Sequence, residues 1–132
     1  MKKAMDQTRR TMKIAAPQIT VQENQAVLSA EITREGMSPF LCQFFYPAEY
    51  QQYLCSERAD AFLVSVLPFA MQHGFDIQCE MPVSEKLLHQ IKSYYIPVLA
   101  QAQSDFKFIT VEAQADNRDL NVGKAVGTGL SC

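Results

Sequence analysis

Residues 61–71 read Ala-Phe-Leu-Val-Ser-Val-Leu-Pro-Phe-Ala-Met, an apolar run in which Ser65 is the one polar residue. A helix at the surface of a domain carries polar residues along one side, and this run has no such side. We therefore expect a central helix that is buried all round, capped by Ser56 and ended by Gly74. Pro68 lacks a backbone N–H and is expected to bend this helix.

Strand patterns precede the central helix. Apolar and polar residues alternate around Ile19 and Val21, and again from Val27 to Ile32, with a turn between them at residues 23–25. Residues 40–46 predict a third strand, so rich in aromatic side chains that we expect both of its faces to be covered. Pro47 then favours a short helix over residues 48–54.

The region after Gly74 continues the alternation of strands and helices. Residues 75–80 predict a strand, and Ser84 is placed to cap a long helix that Pro97 should kink near its end. Residues 106–113 predict a last strand, and the polar residues 114–121 are typical of an interdomain linker. The expected apolar stripe of the long helix consists of Leu87, Leu88, Ile91, Tyr94, Tyr95, Val98 and Leu99.

These patterns together predict an α+β fold, with a mostly antiparallel sheet of about five strands and two long helices packed against it. We expect residues 1–17 to be a flexible leader and residues 18–113 to form an α+β accessory domain. Residues 114–132 are expected to be a linker followed by the start of a nucleotide-binding loop.

Composition narrows the function classes. The 132 residues are 48% hydrophobic and 20% charged, with a net charge of −2, which is typical of a globular domain and does not indicate nucleic-acid binding. No stretch approaches the ~18 apolar residues that a membrane span needs. The four cysteines, Cys42, Cys55, Cys79 and Cys132, include no Cys-x-x-Cys pair, so we expect free thiols in a cytoplasmic protein.

Residues 126–132, Val-Gly-Thr-Gly-Leu-Ser-Cys, are the strongest candidate for a ligand site. Gly127 and Gly129 allow the backbone to approach an anion closely, and Ser131 adds a hydroxyl group. We expect these three residues to be part of a phosphate-binding loop that would bind cofactor only in a longer protein. The expectation for this chain alone is no cofactor and no metal.

Two further groups of residues are less specific candidates for a catalytic site. Residues 55–60 combine a thiol, two carboxylates and an arginine near a predicted helix start, where Cys55 could act as a nucleophile. The structural alternative is that Ser56 caps the helix and Arg58 pairs with a neighbour. A Cys79–His89 pair is a second catalytic possibility.

The chain resembles the PP-loop ATP pyrophosphatase superfamily, also called the adenine nucleotide alpha hydrolases. The resemblance is carried by residues 55–62, 82–88, 95–99 and 127–131, with Ser131 as the first serine of the superfamily's loop and Cys132 where a glycine is usual. The resemblance implies that the chain is a non-catalytic N-terminal accessory domain, for substrate or partner recognition, of an AMP-forming ligase or transferase. A downstream catalytic domain would then be its partner and ATP the cofactor of the longer protein.

The alternative to this function comes from a different class. Apolar residues near Phe40 to Tyr53 favour a self-association or protein-interaction module with no enzymatic context. On that reading the chain forms a homo-oligomer. A small thiol enzyme built on Cys55 or Cys79 is the third possibility.

Overall fold

The computed structural model describes residues 10–118, which fold as an α+β domain with a mixed sheet. In chain order the elements are β1 (Arg10–Ile14), β2 (Gln18–Gln22), β3 (Gln25–Arg34), β4 (Met37–Pro47), a 3-10 helix (Ala48–Tyr53), α1 (Asp60–His73), β5 (Phe75–Cys79), β6 (Val83–Ser84), α2 (Glu85–Gln90), a π-helical turn (Ile91–Tyr95), α3 (Ile96–Ala102), β7 (Val111–Glu112) and β8 (Ala115–Asp116). The segments from α2 to α3 follow one another without a break and are called the 85–102 helix.

The main sheet is mixed, so the prediction of a mostly antiparallel sheet is wrong. β3 pairs antiparallel with β1 and β2 along one of its edges and with β4 along the other. β5 lies parallel to β1, and β7 lies parallel to β5. The parallel half arises because a helix separates β5 from the strands before it and another helix separates β7 from β5, and parallel neighbours need such long crossover connections.

β1 is a central strand inside the segment predicted to be a flexible leader. It lies between β3 and β5, and the side chains of Met12 and Ile14 are completely buried. The prediction for residues 1–17 is therefore wrong for residues 10–14. Five residues with two basic side chains are too short a pattern to reveal a strand whose stability comes from neighbours on both edges.

α1 packs one face against the sheet and leaves the other exposed. Phe62, Leu63, Val66, Leu67, Ala70 and Met71 are buried in the core with side chains of β1, β3 and β5. Val64, on the opposite face, is 51% exposed, so the prediction of a helix buried all round is wrong.

The helix begins at Asp60, and Ser56 does not cap it, because Ala59 occupies the N-cap position. Gly74 ends the helix as predicted, with a left-handed φ of 76° that favours glycine.

The 85–102 helix contributes Leu88, Ile91 and Ile96 to the same hydrophobic core as α1. Ser84 caps it as predicted, since its Oγ accepts a hydrogen bond of 3.4 Å from the backbone N–H of Leu87. The π-helical turn directly precedes the segment that contains Pro97. This wider turn changes which side chains face the core, so the predicted stripe is interrupted. Leu88, Ile91 and Ile96 are buried, whereas the predicted core residues Tyr94, Tyr95 and Val98 are exposed.

The C-terminal part of the described chain differs from its prediction in two ways. Only Val111–Glu112 of the predicted strand at residues 106–113 forms a strand. Residues 115–116, predicted to lie in a linker, instead pair parallel with Val83–Ser84, and Asp116 is buried. The polar composition of this segment indicates a linker because two of its partners, the strand β6 and Arg58, are distant in sequence.

Candidate functional site

The predicted nucleotide-binding residues Gly127, Gly129 and Ser131 lie outside the described residues. ATP binding by a longer protein stays a prediction, as does the proposed downstream catalytic domain.

The cluster at residues 55–60 is part of a salt-bridge network around Asp116. Arg118 donates hydrogen bonds to both carboxylate oxygens of Asp116, the shortest being 2.7 Å from Nη2 to Oδ2. Arg58 lies 3.5 Å from Oδ2 of Asp116 and also donates to the backbone carbonyl of Arg118. Glu57 is 3.6 Å from Arg118. Hydrogen bonds from Arg118, with a smaller contribution from Arg58, hold the pKa of Asp116 far below its ordinary value.

This network supports the structural reading of the cluster. Its charged groups pair with one another and join the start of α1 to β8. Asp60 has a similar role, since its Oδ1 accepts a hydrogen bond of 2.9 Å from the backbone N–H of Ser84. The prediction that Arg58 pairs with a neighbour is confirmed, although the neighbours are 58 and 60 positions away in sequence.

Two of the described cysteines, Cys42 and Cys79, lie in environments that disfavour an activated thiol. Cys79 lies at the end of β5, where burial and, to a lesser extent, the charge of Asp60 raise the pKa of its thiol to about 11. Burial also raises the pKa of Cys42. A nucleophilic cysteine needs a lowered pKa, so these two environments disfavour catalysis. Cys55 is a half-buried free thiol.

The two histidines make local contacts on their own helices. The ring of His73 lies 4.3 Å from that of Phe69, and Nδ1 of His89 is 3.4 Å from the hydroxyl of Ser93. Thus the structure does not support the suggested Cys79–His89 pair. Across residues 10–118, no group of three or more His, Cys, Asp or Glu side chains is arranged to hold a metal ion.

An apolar groove lies between α1 and the 85–102 helix and has a volume of about 470 Å³. Its exposed walls include Val64, Tyr94, Tyr95 and Val98, and Gln90 also lines it. The aromatic pair Tyr94-Tyr95 was predicted to belong to the core. The groove was not foreseen because its walls come from two helices whose exposed faces depend on how each packs on the sheet.

β4 forms a free edge of the main sheet. It has 11 residues and pairs with β3 only, so its other edge has no partner among residues 10–118. Its sequence, Met-Ser-Pro-Phe-Leu-Cys-Gln-Phe-Phe-Tyr-Pro, contains no charged residue. Leu41 is 55% exposed and Phe45 is 52% exposed, so the prediction that both faces of this strand are covered is wrong.

The register of β4 determines which backbone groups point to the free edge. Ala48 donates its N–H to the carbonyl of Asn24 at 2.9 Å, in the same register that pairs Leu28 with Phe44. Hydrogen-bonded pairs alternate with non-bonded pairs in an antiparallel ladder. The even-numbered residues of β4 from 40 to 46 therefore bond to β3, and the N–H and C=O groups of Leu41, Gln43 and Phe45 point outward.

The side chains of these three residues also share one face. Cys42 and Phe44 pack against the core, on the side of the sheet that the helices cover. Because side chains alternate along a strand, Leu41, Gln43 and Phe45 lie on the opposite side, and all three are exposed. The free edge of β4, defined by these three residues, thus presents both unpaired backbone groups and apolar side chains.

Within residues 10–118, no helix has both the length and the apolar character needed to cross a bilayer. Comparison with protein-family models, curated proteins and solved structures finds no match to this chain. The free edge of β4 is consequently the candidate functional site, on its geometry alone.

Proposed function

We propose that residues 10–118 form a protein-interaction domain that accepts a β-strand from a partner chain at the free edge of β4. The observation that carries this proposal is that, among residues 10–118, the long strand β4 is bonded on one side only, with exposed Leu41 and Phe45 beside the outward backbone groups. Strand addition at such an edge supplies backbone hydrogen bonds for affinity and side-chain contacts for specificity.

The composition of β4 supports the same proposal. Exposed edge strands are normally protected by lysine or other charged side chains, which prevent unwanted pairing. β4 has no charged residue, and its prolines stand near its two ends, at positions 39 and 47. The middle of the strand is therefore unprotected, as a binding edge must be. A domain of this kind also fits the role of an accessory domain in a longer enzyme.

The test uses a fluorescent peptide with the sequence of residues 39–47, flanked by lysines for solubility. We expect fluorescence anisotropy to show binding to the intact chain. Replacing both Leu41 and Phe45 by lysine should abolish binding, because charged side chains at the edge oppose strand pairing. Circular dichroism should remain unchanged, since both side chains are exposed.

The matched control carries Val64→Lys and Val98→Lys in the helical groove, where the two side chains are 51% and 57% exposed. This variant should bind the peptide like the original chain. The proposal would be wrong if the chain is a monomer and does not bind the peptide, or if the groove variant loses binding while the edge variant keeps it.

A further inference from the structure

We propose that the partner at the free edge of β4 is a second copy of this chain, whose β4 runs antiparallel to the first about a two-fold axis at Gln43. This inference rests on the proposed function, since it names the strand that the edge accepts. The observations that carry it are the register of β4, the direction of its backbone groups and the positions of its two prolines.

β4 is close to symmetric in residue type about Gln43. Two antiparallel copies related by an axis at this residue oppose positions at equal distances from it. Gln43 then faces Gln43 of the partner subunit, and the other opposed pairs are Leu41 with Phe45, Phe40 with Tyr46, Cys42 with Phe44, and Pro39 with Pro47.

The outward backbone groups fit this register. Leu41, Gln43 and Phe45 are the residues whose N–H and C=O groups point away from β3. With the axis at Gln43 each of them opposes an outward-pointing residue, so every one of the three pairs exchanges two N–H···O bonds. The edge is therefore complementary to itself.

The prolines exclude the neighbouring registers. Proline has no N–H to donate, so it must not oppose a residue inside the new ladder. Moving the axis to Leu41 or Cys42 sets Pro39 opposite Gln43 or Phe45. Moving it to Phe44 or Phe45 sets Pro47 opposite Leu41 or Gln43. With the axis at Gln43, the two prolines oppose each other beyond the ends of the ladder.

Side-chain contacts across the axis favour the same arrangement. Leu41 meets Phe45 of the partner subunit on the open face of the sheet, which covers the two exposed apolar side chains of β4 on that face. On the helical side, Phe40 meets Tyr46 of the partner subunit. Apolar and aromatic cross-strand pairs of this kind stabilise antiparallel ladders. The axis is perpendicular to the sheet, so the helices of both copies lie on the same side.

The first test introduces a charge at the axis, where Gln43 is neutral. Gln43→Lys places two like charges opposite each other, and Gln43→Glu does the same with the opposite sign. We expect each variant to weaken dimerisation by about tenfold or more in sedimentation velocity. Mixing the two variants should restore a dimer that contains one copy of each, because the opposed charges then attract.

The second test reads the register directly. The Cα atoms of a hydrogen-bonded antiparallel pair lie about 5.5 Å apart, within the range that a disulfide spans. Gln43→Cys should therefore form a disulfide between two copies under mild oxidation, identified by mass spectrometry as a 43–43 link. Gln22→Cys, exposed on β2 away from this edge, is the control and should form no such link.

These outcomes separate the two proposals. If the peptide binds at the edge but the intact chain sediments as a monomer, the interaction domain stands and the second copy is not its partner. A dimer that persists in both charge variants, or that forms no 43–43 disulfide, overturns the axis at Gln43. A chain that sediments as a monomer and does not bind the peptide removes the proposed function itself.

Discussion

At the scale of single residues, Cys79 illustrates how the fold sets the reactivity of a thiol. Burial and the nearby Asp60 raise its pKa to about 11 from an ordinary value of 9.0. Only the thiolate is nucleophilic, and the raised pKa lowers the thiolate fraction at pH 8 by about 100-fold. A thiol enzyme that uses Cys79 as its nucleophile, the third possible function, is therefore disfavoured.

We predict that iodoacetamide modifies Cys79 at pH 8 about 100-fold more slowly in the folded chain than in the chain unfolded by urea. Mass spectrometry of the peptide that contains Cys79 measures the two rates. The unfolded chain is the control, because all four cysteines are then equally accessible. Equal rates in the folded and unfolded chains would contradict the raised pKa.

At the scale of elements, α1 contributes to stability through one face only. Phe62 is completely buried and its ring lies 5.3 Å from that of Phe44 on β4. Val64, two positions along the same helix, is exposed on the other face. The two residues are both apolar in sequence, and only their packing distinguishes them.

We predict that Phe62→Ala lowers the free energy of unfolding by about 3–5 kcal/mol, because it removes a buried ring and leaves a cavity. Urea unfolding followed by circular dichroism measures the change. The matched variant Val64→Ala should change the free energy of unfolding by no more than about 0.5 kcal/mol. Similar losses for both variants would mean that the outer face of α1 is also buried.

The 85–102 helix has a start that the sequence predicts and a π-helical turn that it does not. Ser84 begins it by a local hydrogen bond, which the sequence predicts correctly. The π-helical turn at Ile91–Tyr95 then changes the exposed face of the helix, and a regular helical period cannot foresee this. The aromatic side chains that follow therefore line a surface groove and do not enter the core.

At the scale of the whole molecule, Asp116 connects parts of the chain that are far apart in sequence. Its carboxylate binds Arg58 before α1 and Arg118 after β8, while β8 itself pairs with β6. Loss of this carboxylate's charge should therefore affect the stability of the domain as a unit.

We predict that acid weakens the folded domain through Asp116. Its pKa is lowered in the folded state, so its contribution to stability is fully present above the ordinary value of 3.8 and declines as the pH falls below that value toward the folded pKa. The melting temperature of the original chain should fall across this window. Asp116→Asn should melt lower at pH 7 and lose less on acidification.

Calorimetric melting from pH 7 down to about pH 2 checks this expectation. Glu57→Gln is the control, since Glu57 is exposed and lies 3.6 Å from Arg118, and it should melt like the original chain at pH 7. A melting temperature for Asp116→Asn equal to that of the original chain at every pH would show that the network is not stabilising.

The sequence alone determined the elements whose causes are local. Alternation placed β2, β3 and β5, and aromatic composition placed β4. A glycine in the left-handed region ended α1, and a serine hydroxyl began the 85–102 helix. Each of these signals acts between residues a few positions apart, so it can be recognised without knowing the fold. The α+β class followed from the order of these elements.

Tertiary structure alone decided the position of β1 at the centre, the parallel half of the sheet, the exposed face of α1 and the burial of Asp116. It also decided that β4 has a free edge, on which the proposed function depends. Each of these features arises from contacts between residues distant in the chain, and the same strand sequence can lie at a centre or at an edge. The physical reason is that burial and strand pairing belong to the assembled sheet, whereas turns and caps belong to the local backbone.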